Sequence, residues 1–412
     1  SPRAFACSIA SVAPLSMPCP CGAWSPVSGA TNDPMVEPAR LAEVELIRVE
    51  LPLVVPFRTS FGVEHDRDVL LVRIVLDAGD TTAEGWGECV ALREPLYSAE
   101  FVDAAELVVV EHLLPRVLAG GPLTATDVAE RLAPVKGHPM SKAALEMAVL
   151  DAELRLRGET LAQRLGGVVD RVPSGVSVGI FDSIDTLLAS VQGYVDEGYA
   201  RIKLKIEPGW DLEPVRRVRE LIGPEMGLQV DANTAYTRDD IDHLCRLDEF
   251  DLLLIEQPFA EEDLLDHARL AQASSTPVCL DESVVSLATA ADAIELRAVD
   301  VINIKPGRVG GYLESRRIHD LAVEHGVPVW CGGMLETGIG RAANAALASL
   351  PGFTLPGDIS AASRFYARDI VTEPIEVVDG HVAVPTGTGL GAEIDHGRLA
   401  EVTTRRRPIP PP

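Results

Sequence analysis

Acidic side chains recur in the sequence directly after short apolar segments. Asp231 lies in QVDAN, Glu256 in LIEQP and Asp281 in CLDES, at intervals of roughly 25 residues that suit one strand and one helix each. Carboxylates without His or Cys among them favour a hard cation, Mg²⁺ or Mn²⁺, over zinc. Three carboxylates brought together without a cation would repel one another strongly. We therefore predict that Asp231, Glu256 and Asp281 bind a divalent metal ion.

Lysine is rare in this chain, since only five of the 36 basic residues are lysines. Three of them, Lys203, Lys205 and Lys305, lie in apolar segments, whereas arginine serves elsewhere and cannot release its proton. Lys203 and Lys205 are two apart and point to the same face of a strand, where two ammonium groups and a metal ion should crowd together and lower a lysine pKa. We predict that Lys205 and Lys305 transfer protons and that Lys203 mainly neutralises the carboxylates. None of the nine histidines ends a predicted strand, and this position argues against histidine as the base.

The elements that would position these residues form a repeat from residue 174 onward, in which apolar strands alternate with amphipathic helices. The predicted strands span residues 175–180, 201–206, 228–230, 252–255, 278–280, 301–304, 327–330 and 353–355. Strand–helix alternation with buried strands predicts a parallel α/β barrel, and eight strands in one block favour the closed form. The acids and Lys305 would then converge on the carboxyl ends of the strands, where barrel enzymes carry their active sites.

The rest of the chain is predicted to form an α+β domain and a returning tail. Strands at 44–54, 69–76 and 82–91 precede helices at 98–118, 124–132 and 140–157. We predict a disordered leader at 1–34, with Met35 as the natural start, an α+β domain at 35–160 and a barrel at 161–365. The segment 366–412 should return to the first domain through strands between 370 and 405, with a frayed end at 405–412.

Composition limits the possible partners. The net charge of −26 argues against nucleic acid and anionic membranes, and no apolar run approaches the roughly 20 residues that span a bilayer. Seven cysteines without paired zinc spacing favour small buried thiols in a reducing cytoplasm. Two signals are weak: the glycines after strand seven need only be loop residues, and Asp358 is equally a helix cap or a ligand.

Six motifs resemble the enolase superfamily, in its branch of N-acylamino acid racemases and o-succinylbenzoate synthases. They are RIKLKIEPGW, QVDANTAY, LLLIEQPF, VCLDES, INIKPGRVGGY and VWCGGMLETGIGRAANAALASLP. The likeness covers residues 40–405 and shows no departure at the acid–base or metal positions. It implies an α+β capping domain on a modified TIM barrel of the (β/α)7β type, and a homo-oligomer.

The resemblance also implies a role for each site residue. Mg²⁺, or Mn²⁺, would be bound by Asp231, Glu256 and Asp281. Lys205 and Lys305 would be the acid–base pair. The supporting residues would be Lys203, Asn233 and Glu282. The substrate would contact Ser60, Phe61, Tyr97, Ser177, Gly333, Met334 and Leu335, and the loops 60–62 and 92–97 would close over it.

The activity implied by the resemblance is removal of the proton alpha to the carboxylate of a small-molecule substrate, through an enediolate. The product would be the opposite enantiomer of an N-acylamino acid (an N-succinylamino acid), or o-succinylbenzoate by dehydration in menaquinone biosynthesis. A muconate-type cycloisomerase or a dipeptide epimerase would share the lysines, although epimerases carry Asp-x-Asp where this chain has only Asp358. A mandelate-type racemase would need a His–Asp base that strand seven lacks. A Schiff-base aldolase and a non-catalytic barrel are the remaining alternatives.

Overall fold

The computed structural model describes residues 37–410, so the predicted leader at 1–34 and Met35 lie outside the described residues. The strands are β1 (Arg40–Thr59), β2 (Gly62–Asp77), β3 (Thr82–Cys89), β4 (Arg171–Pro173), β5 (Gly175–Val178), β6 (Arg201–Lys205), β7 (Gly227–Asp231), β8 (Ile255–Glu256), β9 (Val278–Leu280), β10 (Val301–Ile304), β11 (Val329–Cys331), β12 (Val377–Val378), β13 (His381–Ala383) and β14 (Thr403–Ile409). They form sheets of four, seven and three strands.

The helices mostly follow the predicted periodicity. The α-helices are α1 (Val102–Val108), α2 (Leu114–Ala119), α3 (Ala125–Leu132), α4 (Pro139–Arg157), α5 (Leu161–Leu165), α6 (Ile184–Asp196), α7 (Leu212–Ile222), α8 (Ile241–Leu244), α9 (Leu264–Ala273), α10 (Leu287–Glu295), α11 (Pro306–Val309), α12 (Tyr312–Glu324), α13 (Gly338–Ala348) and α14 (His396–Val402). A π-helical segment, Val109–Leu113, joins α1 to α2 within the single helix predicted at 98–118.

The first part of the chain folds into an antiparallel sheet of order β14-β1-β2-β3 covered by α4, and we call this unit the cap. Helix α4 is buried on nearly every side, as expected of a helix packed between two layers. Its approach to β3 requires glycine, because a Cβ on Gly87 would lie 1.9 Å from the carbonyl oxygen of Ala144. The cap is therefore held together by close backbone contact.

The chain forms a strand through Ile409, contrary to the prediction of a frayed segment at 405–412, of which residues 411 and 412 lie outside the described residues. Strand β14 pairs antiparallel with β1, placing Arg406 opposite Ile47 and Arg407 opposite Leu46. Arg406 pairs with Glu45, and Arg407 lies 3.8 Å from Glu106. The strand lies at the edge of the sheet with most of its side chains exposed, so its sequence has the polarity of a loose tail. The domain limits at residues 160 and 365 stay a prediction.

The repeat forms the predicted parallel sheet, in the order β5 to β11, and each strand is followed by helical structure. The predicted eighth strand at 353–355 is reduced to isolated parallel bridges. Val329 pairs with Phe353, and Ser174 pairs with Gly357, so this segment connects β11 back toward the start of the sheet. The result is a curled, mixed α/β half-barrel consistent with the modified TIM barrel that was predicted.

Apolar side chains fill the barrel interior beneath the strand ends. Leu254, Cys279, Val301 and Trp330 form a separate buried cluster there. Among residues 37–410 every cysteine is a free thiol. In the same residues, no helix combines the length and apolar character needed to cross a bilayer.

Candidate active site

Strand register brings the predicted catalytic and acidic residues side by side. Strands β6 and β7 pair Lys205 with Asp231, and β7 and β8 pair Asp231 with Glu256. Asp281 directly follows β9, and Lys305 directly follows β10. The three acids are fully inaccessible to solvent. A charged layer therefore lies at the carboxyl ends of five consecutive strands.

Lys203 lies at the centre of this layer. Its Nζ is 3.0 Å from Glu256, 3.0 Å from Asp231 and 2.6 Å from Asp358. It also lies 4.8 Å from the centre of the Trp330 ring, which supports it from the barrel interior. These contacts fit the neutralising role predicted for this lysine.

The other two lysines contact different acids. Lys205 Nζ donates to Asp231 and to Asn233 Oδ1, at 2.6 Å each. Lys305 Nζ donates to Asp281 at 2.7 Å and to the Tyr97 hydroxyl at 2.8 Å. Strands β6 and β10 are separated by three intervening strands of the curled sheet, so these two lysines approach from different sides.

The lysine pKa values differ from the sequence expectation. Burial alone would lower the pKa of Lys203, but Asp358, Glu256 and Asp231 hold it above its usual range. Burial would also lower the pKa of Lys305, but the contact with Asp281 raises it well above its usual range. The pKa of Lys203 is thus raised rather than lowered as crowding predicted, because this lysine contacts carboxylates more closely than it contacts another cation.

The pKa values of two of the acids are shifted in opposite directions. Burial and the neighbouring Asp231 raise the pKa of Glu256 to about 8. Although burial opposes it, Lys205 and Lys203 hold the pKa of Asp231 below its usual range. Like charges on adjacent strand ends thus cannot all be stabilised by the lysines alone.

The donor chemistry of these acids fits a hard divalent cation. All three are buried carboxylates, and Oδ1 of Asp281 accepts no hydrogen bond although Arg308 Nε lies 3.3 Å away. Within residues 37–410 no three acidic, histidine or cysteine side chains have their ligand atoms grouped around one point. The carboxylate oxygens contact lysine nitrogens instead. Oxygen donors without His or Cys match Mg²⁺ or Mn²⁺.

The two predicted supporting residues form a link between β7 and β9. Asn233 Nδ2 donates to Glu282 Oε1 at 2.9 Å, and Asn233 Oδ1 accepts from Lys205. Burial and Asp281 raise the pKa of Glu282 to about 7. Asn233 adopts a left-handed backbone with a φ of 41°. Through its two hydrogen bonds, the Asn233 side chain orients the Lys205 ammonium.

A cavity opens above the charged layer. Of the predicted residues, those that line it are Phe61, Tyr97, Ser177, Lys203, Lys205, Asn233, Lys305, Gly333, Met334 and Leu335. Ser60 does not line this cavity, and its hydroxyl instead lies 3.2 Å from the carbonyl oxygen of Ala232. The predicted metal ligands are not among the lining residues, while Glu282 borders a neighbouring cavity.

Two loops of the cap reach over the lysines. The Phe61 and Tyr97 rings lie 5.3 Å apart, and the Tyr97 hydroxyl donates to Asp281 at 3.1 Å. A residue of the cap is therefore in direct contact with the charged layer. This arrangement brings both predicted closing loops to the cavity.

Several residues of the site were missed by sequence reasoning. Arg308 is buried beside Asp281 and lies 4.6 Å from the centre of the Tyr97 ring; its signal was the three-residue step from Lys305. Asp358 was weighed equally as a helix cap or a ligand. It pairs instead with Lys203 and, at 2.9 Å, with Arg201.

Gly332 was considered only as a loop residue. A Cβ on it would lie 2.3 Å from Asn303 Oδ1 and 2.7 Å from Lys305 Cε. Asn303 in turn donates to Glu256 at 2.7 Å. Glycine is therefore needed for the close approach of this loop to Lys305 and its neighbours.

Two family models match the chain in the order of its two structural parts. Residues 41–166 match the mandelate racemase/muconate lactonizing enzyme N-terminal domain, and residues 186–398 match the enolase C-terminal domain-like family. The second match spans the barrel strands from β6 onward and includes Lys203, Lys205 and Lys305.

Curated relatives and a solved structure agree with these matches. An N-succinylamino acid racemase of an Amycolatopsis species is 61% identical over 89% of this chain and 98% of its own length. An o-succinylbenzoate synthase of Geobacillus kaustophilus is 45% identical over 87% and 95%. The crystal structure of an enolase superfamily member from Listeria innocua superposes with a TM-score of 0.86 at 38% identity, covering 90% of this chain and 99% of that one. With its cap, curled parallel sheet and charged strand ends, the chain belongs to the enolase superfamily.

Proposed function

We propose that this protein removes and returns the proton alpha to the carboxylate of an N-acylamino acid, as an N-succinylamino acid racemase. One observation carries the proposal: Lys205 and Lys305 reach a single cavity from strands on different sides of the barrel. Racemisation needs one base on each face of the alpha carbon. A substrate held between the two lysines meets that requirement.

The order of events follows from the position of each charge. Lys205 accepts the alpha proton from one face of the substrate, and Lys305 donates a proton to the other face. The reverse assignment converts the opposite enantiomer. Lys203 stabilises the negative charge that develops on the substrate carboxylate oxygens, because its ammonium is buried among the acids and cannot be screened by water.

Asp231, Glu256 and Asp281 are proposed to hold Mg²⁺, with Asn233 and Glu282 as supporting residues. A divalent cation at this position would stabilise the enediolate form of the substrate carboxylate. Proton transfer by a positioned side chain contributes ~10²–10⁴ to the rate enhancement. Stabilisation of the developing negative charge must therefore supply much of the remaining enhancement. The buried acids of this chain hold the lysine ammonium groups in position.

The apolar wall of the cavity is proposed to hold the rest of the substrate. Phe61, Met334 and Leu335 provide contact area for a hydrophobic side chain, and Tyr97 covers the lysines from the cap. Ser60 is proposed to hold the closing loop rather than to contact substrate, since its hydroxyl faces the β7 loop. Ser177 and Gly333 would face the acyl arm.

The second candidate is the o-succinylbenzoate synthase reaction, which the 45% identical relative from Geobacillus kaustophilus supports by its name. In that reaction Lys205 would remove the proton and assist loss of hydroxide, while Lys305 would stabilise the intermediate. Both substrates carry a carboxylate beside the reacting carbon and a succinyl arm. The same cavity can therefore serve both reactions. A dipeptide epimerase is disfavoured because Asp358 already pairs with two cations.

The first experiment follows the alpha proton of N-succinyl-L-phenylalanine in D₂O with Mg²⁺, by NMR and optical rotation together. A racemase loses the proton signal and the rotation at matching rates. The o-succinylbenzoate precursor is then tested separately for dehydration. If N-succinylamino acids show no exchange while the precursor is dehydrated, the racemase proposal fails and the synthase takes its place.

Two further predictions belong with this proposal. We expect a homo-oligomer, which sedimentation of the purified protein measures, and a cytoplasmic location, which cell fractionation measures. Neither is needed for the chemistry above, because the two lysines and the three acids all come from one chain.

A further inference from the structure

Gln257 directly follows Glu256 at the end of β8 and is fully inaccessible to solvent. Its backbone has a φ of 38°, in the left-handed region that a residue with a side chain seldom adopts. Backbone strain of this kind persists only where the surrounding structure holds it, and it is concentrated at functional sites. The contacts of Gln257 therefore show what the strained conformation serves.

The backbone of Gln257 joins the three strand ends that carry the predicted metal ligands. Its N–H donates to the Cys279 carbonyl of β9 at 2.9 Å. Its carbonyl accepts from the N–H of Thr234, in the loop after β7, at 2.8 Å. One residue thus ties the end of β8 to the ends of both neighbouring strands.

The side-chain amide of Gln257 fits its surroundings in only one orientation. Its Oε1 accepts from the backbone N–H groups of Asp281 at 3.0 Å and of Ser283 at 3.2 Å, and these groups only donate. Its Nε2 donates to the Ser283 hydroxyl at 2.7 Å and to the Phe259 carbonyl at 3.1 Å, and a carbonyl only accepts. A rotated amide would place donor against donor and acceptor against acceptor. The backbone of Asp281 is therefore fixed relative to the residue that follows Glu256.

His267 fixes the chain segment after Gln257. Its Nδ1 lies 2.6 Å from the Asp263 carbonyl oxygen, which only accepts, so Nδ1 carries the proton and Nε2 is the acceptor. The backbone N–H of Phe259 donates to this Nε2 at 3.3 Å. Burial lowers the pKa of His267, which keeps the ring neutral. The neutral ring thus holds the residue whose carbonyl accepts from the Gln257 amide.

We propose that Gln257 is a positioning residue that sets the spacing between Glu256 and Asp281 for a small divalent cation. This inference rests on the proposed function, because it takes these two acids as metal ligands. Gln257 does not line the active-site cavity, so it acts through its neighbours rather than on the substrate. Mg²⁺ demands near-ideal octahedral geometry, whereas the larger Ca²⁺ accepts irregular geometry. Fixed ligand spacing therefore favours Mg²⁺ over Ca²⁺.

Metal binding to the folded protein tests this role without the reaction. Dissociation constants for Mg²⁺ and, separately, for Ca²⁺ are measured by calorimetry on the wild type and on Gln257→Leu, which removes the amide at similar size. We expect the Mg²⁺ dissociation constant to rise about 10–100-fold, the usual effect of removing a residue that orients a metal ligand. The Ca²⁺ constant should rise by a smaller factor, so that the preference for Mg²⁺ over Ca²⁺ falls.

The matched control is Gln229→Leu. Gln229 lies in the neighbouring strand β7 and is 1% exposed, and its Nε2 has no hydrogen-bond partner among residues 37–410. Both dissociation constants of this variant should equal those of the wild type. Circular dichroism verifies that each variant is folded. If Gln257→Leu is unfolded, Ser283→Ala replaces it, because it removes the hydroxyl that accepts from the Gln257 amide and should shift the same preference in the same direction.

Two results would overturn the role of Gln257 alone. An unchanged Mg²⁺ constant in the variant would mean that other contacts hold the acids. A Ca²⁺ affinity that falls as much as the Mg²⁺ affinity would mean that the variant loosens the site without affecting its geometry. Both results leave the proposed function standing, because the wild type still binds Mg²⁺. A wild type that binds neither cation overturns the metal site of the proposed function, and the role of Gln257 with it.

Discussion

Two groups of buried carboxylates in this protein are stabilised in different ways. The mouth carboxylates, Asp231, Glu256 and Asp281, contact lysine side chains at the strand ends. The interface carboxylates, Glu88 and Glu146, extend from the cap and accept hydrogen bonds from barrel residues. Both groups are almost inaccessible to water. The difference lies in what neutralises the charge.

The interface carboxylates cap helices of the barrel. Glu88 accepts the backbone N–H groups of Thr337 and Gly340 and the Thr337 hydroxyl, at the start of α13. Glu146 accepts the N–H groups of Tyr312 and Leu313, at the start of α12. A carboxylate at a helix N-terminus satisfies unpaired N–H groups and meets the positive end of the helix dipole.

This contrast assigns different tasks to the two groups. A lysine can release a proton, and its contact with a carboxylate can be exchanged for contact with a substrate or a cation. A backbone N–H is fixed and does not exchange its proton on the time scale of catalysis. The mouth carboxylates are thus suited to chemistry, and the interface carboxylates are suited to holding α12 and α13, which follow Lys305 and the loop of Gly333.

The largest expected effect is on proton transfer at the mouth. Lys305→Arg keeps a positive charge beside Asp281 but removes a group able to give up its proton. We expect alpha-proton exchange to fall by ~10²–10⁴, with little change in unfolding temperature. NMR in D₂O measures the first quantity and calorimetry the second. Lys136→Arg, the same change at an exposed position of the cap, is the control and should alter neither.

The second-largest expected effect comes from metal removal, which should affect the mouth carboxylates and not the interface carboxylates. We expect EDTA to abolish exchange and Mg²⁺ to restore it. Saturating Mg²⁺ should also raise the unfolding temperature of the wild type, because a ligand that binds only the native state stabilises it. Glu256→Gln should lose that rise, whereas Glu88→Ala should keep it. A Mg²⁺-induced rise that survives in Glu256→Gln would place the cation elsewhere.

The two groups of carboxylates also differ in how far their contacts can be predicted from the sequence. The mouth carboxylates recur once per strand–helix unit, so parallel packing alone predicts that they meet. Glu88 and Thr337 are 249 residues apart, and no period connects them. The return of the tail to the cap was predicted, but β14 itself lies mostly in the segment predicted to be frayed, because an exposed edge strand need not alternate in polarity. Residues fixed by the repeat were predictable, and those fixed by docking of the cap were not.

Asp358 and Arg308 show an intermediate case. Each follows a predicted strand, so each could be placed near the site, but the partner of neither could be read from spacing. Asp358 pairs with Lys203 across the end of the irregular eighth segment, and Arg308 approaches Asp281 through the short turn of α11. Side-chain direction beyond a regular strand depends on tertiary packing.

Removing an interface carboxylate should act on stability more than on chemistry. Glu88→Ala leaves the N–H groups of Thr337 and Gly340 and the Thr337 hydroxyl buried without an acceptor. We expect a loss of about 2–4 kcal/mol in the free energy of unfolding. Glu84→Ala, in the same strand but half-buried and paired with Arg73, should cost under about 1 kcal/mol. Urea denaturation measures both.

A loss of activity without a loss of stability in Glu88→Ala would contradict the distinction between the mouth and interface carboxylates. If Glu88→Ala unfolded at the wild-type urea concentration yet lost alpha-proton exchange, the interface carboxylate would act on catalysis rather than on docking. Exchange rates are therefore measured at a temperature where both variants are folded, and normalised to the folded fraction.

The smallest effect is a pH dependence carried by the interface. Burial, opposed by hydrogen bonds from Thr337, raises the pKa of Glu88 to about 7, above its unfolded value of 4.5. Between these values the native state binds more protons than the unfolded state, so the contribution of Glu88 to stability falls as pH rises and is constant above the folded pKa. Over this window the wild type should lose on the order of 1–3 kcal/mol through Glu88.

Glu88→Gln lacks this titration and keeps the rest of the protein unchanged. The difference in unfolding free energy between wild type and Glu88→Gln should therefore narrow from pH 5 to pH 8, and urea denaturation at several pH values measures it. A constant difference would mean that the α13 N–H groups hold Glu88 ionised throughout. Backbone dipoles would then neutralise a buried carboxylate as fully as a lysine does, and the distinction between mouth and interface would rest on proton transfer alone.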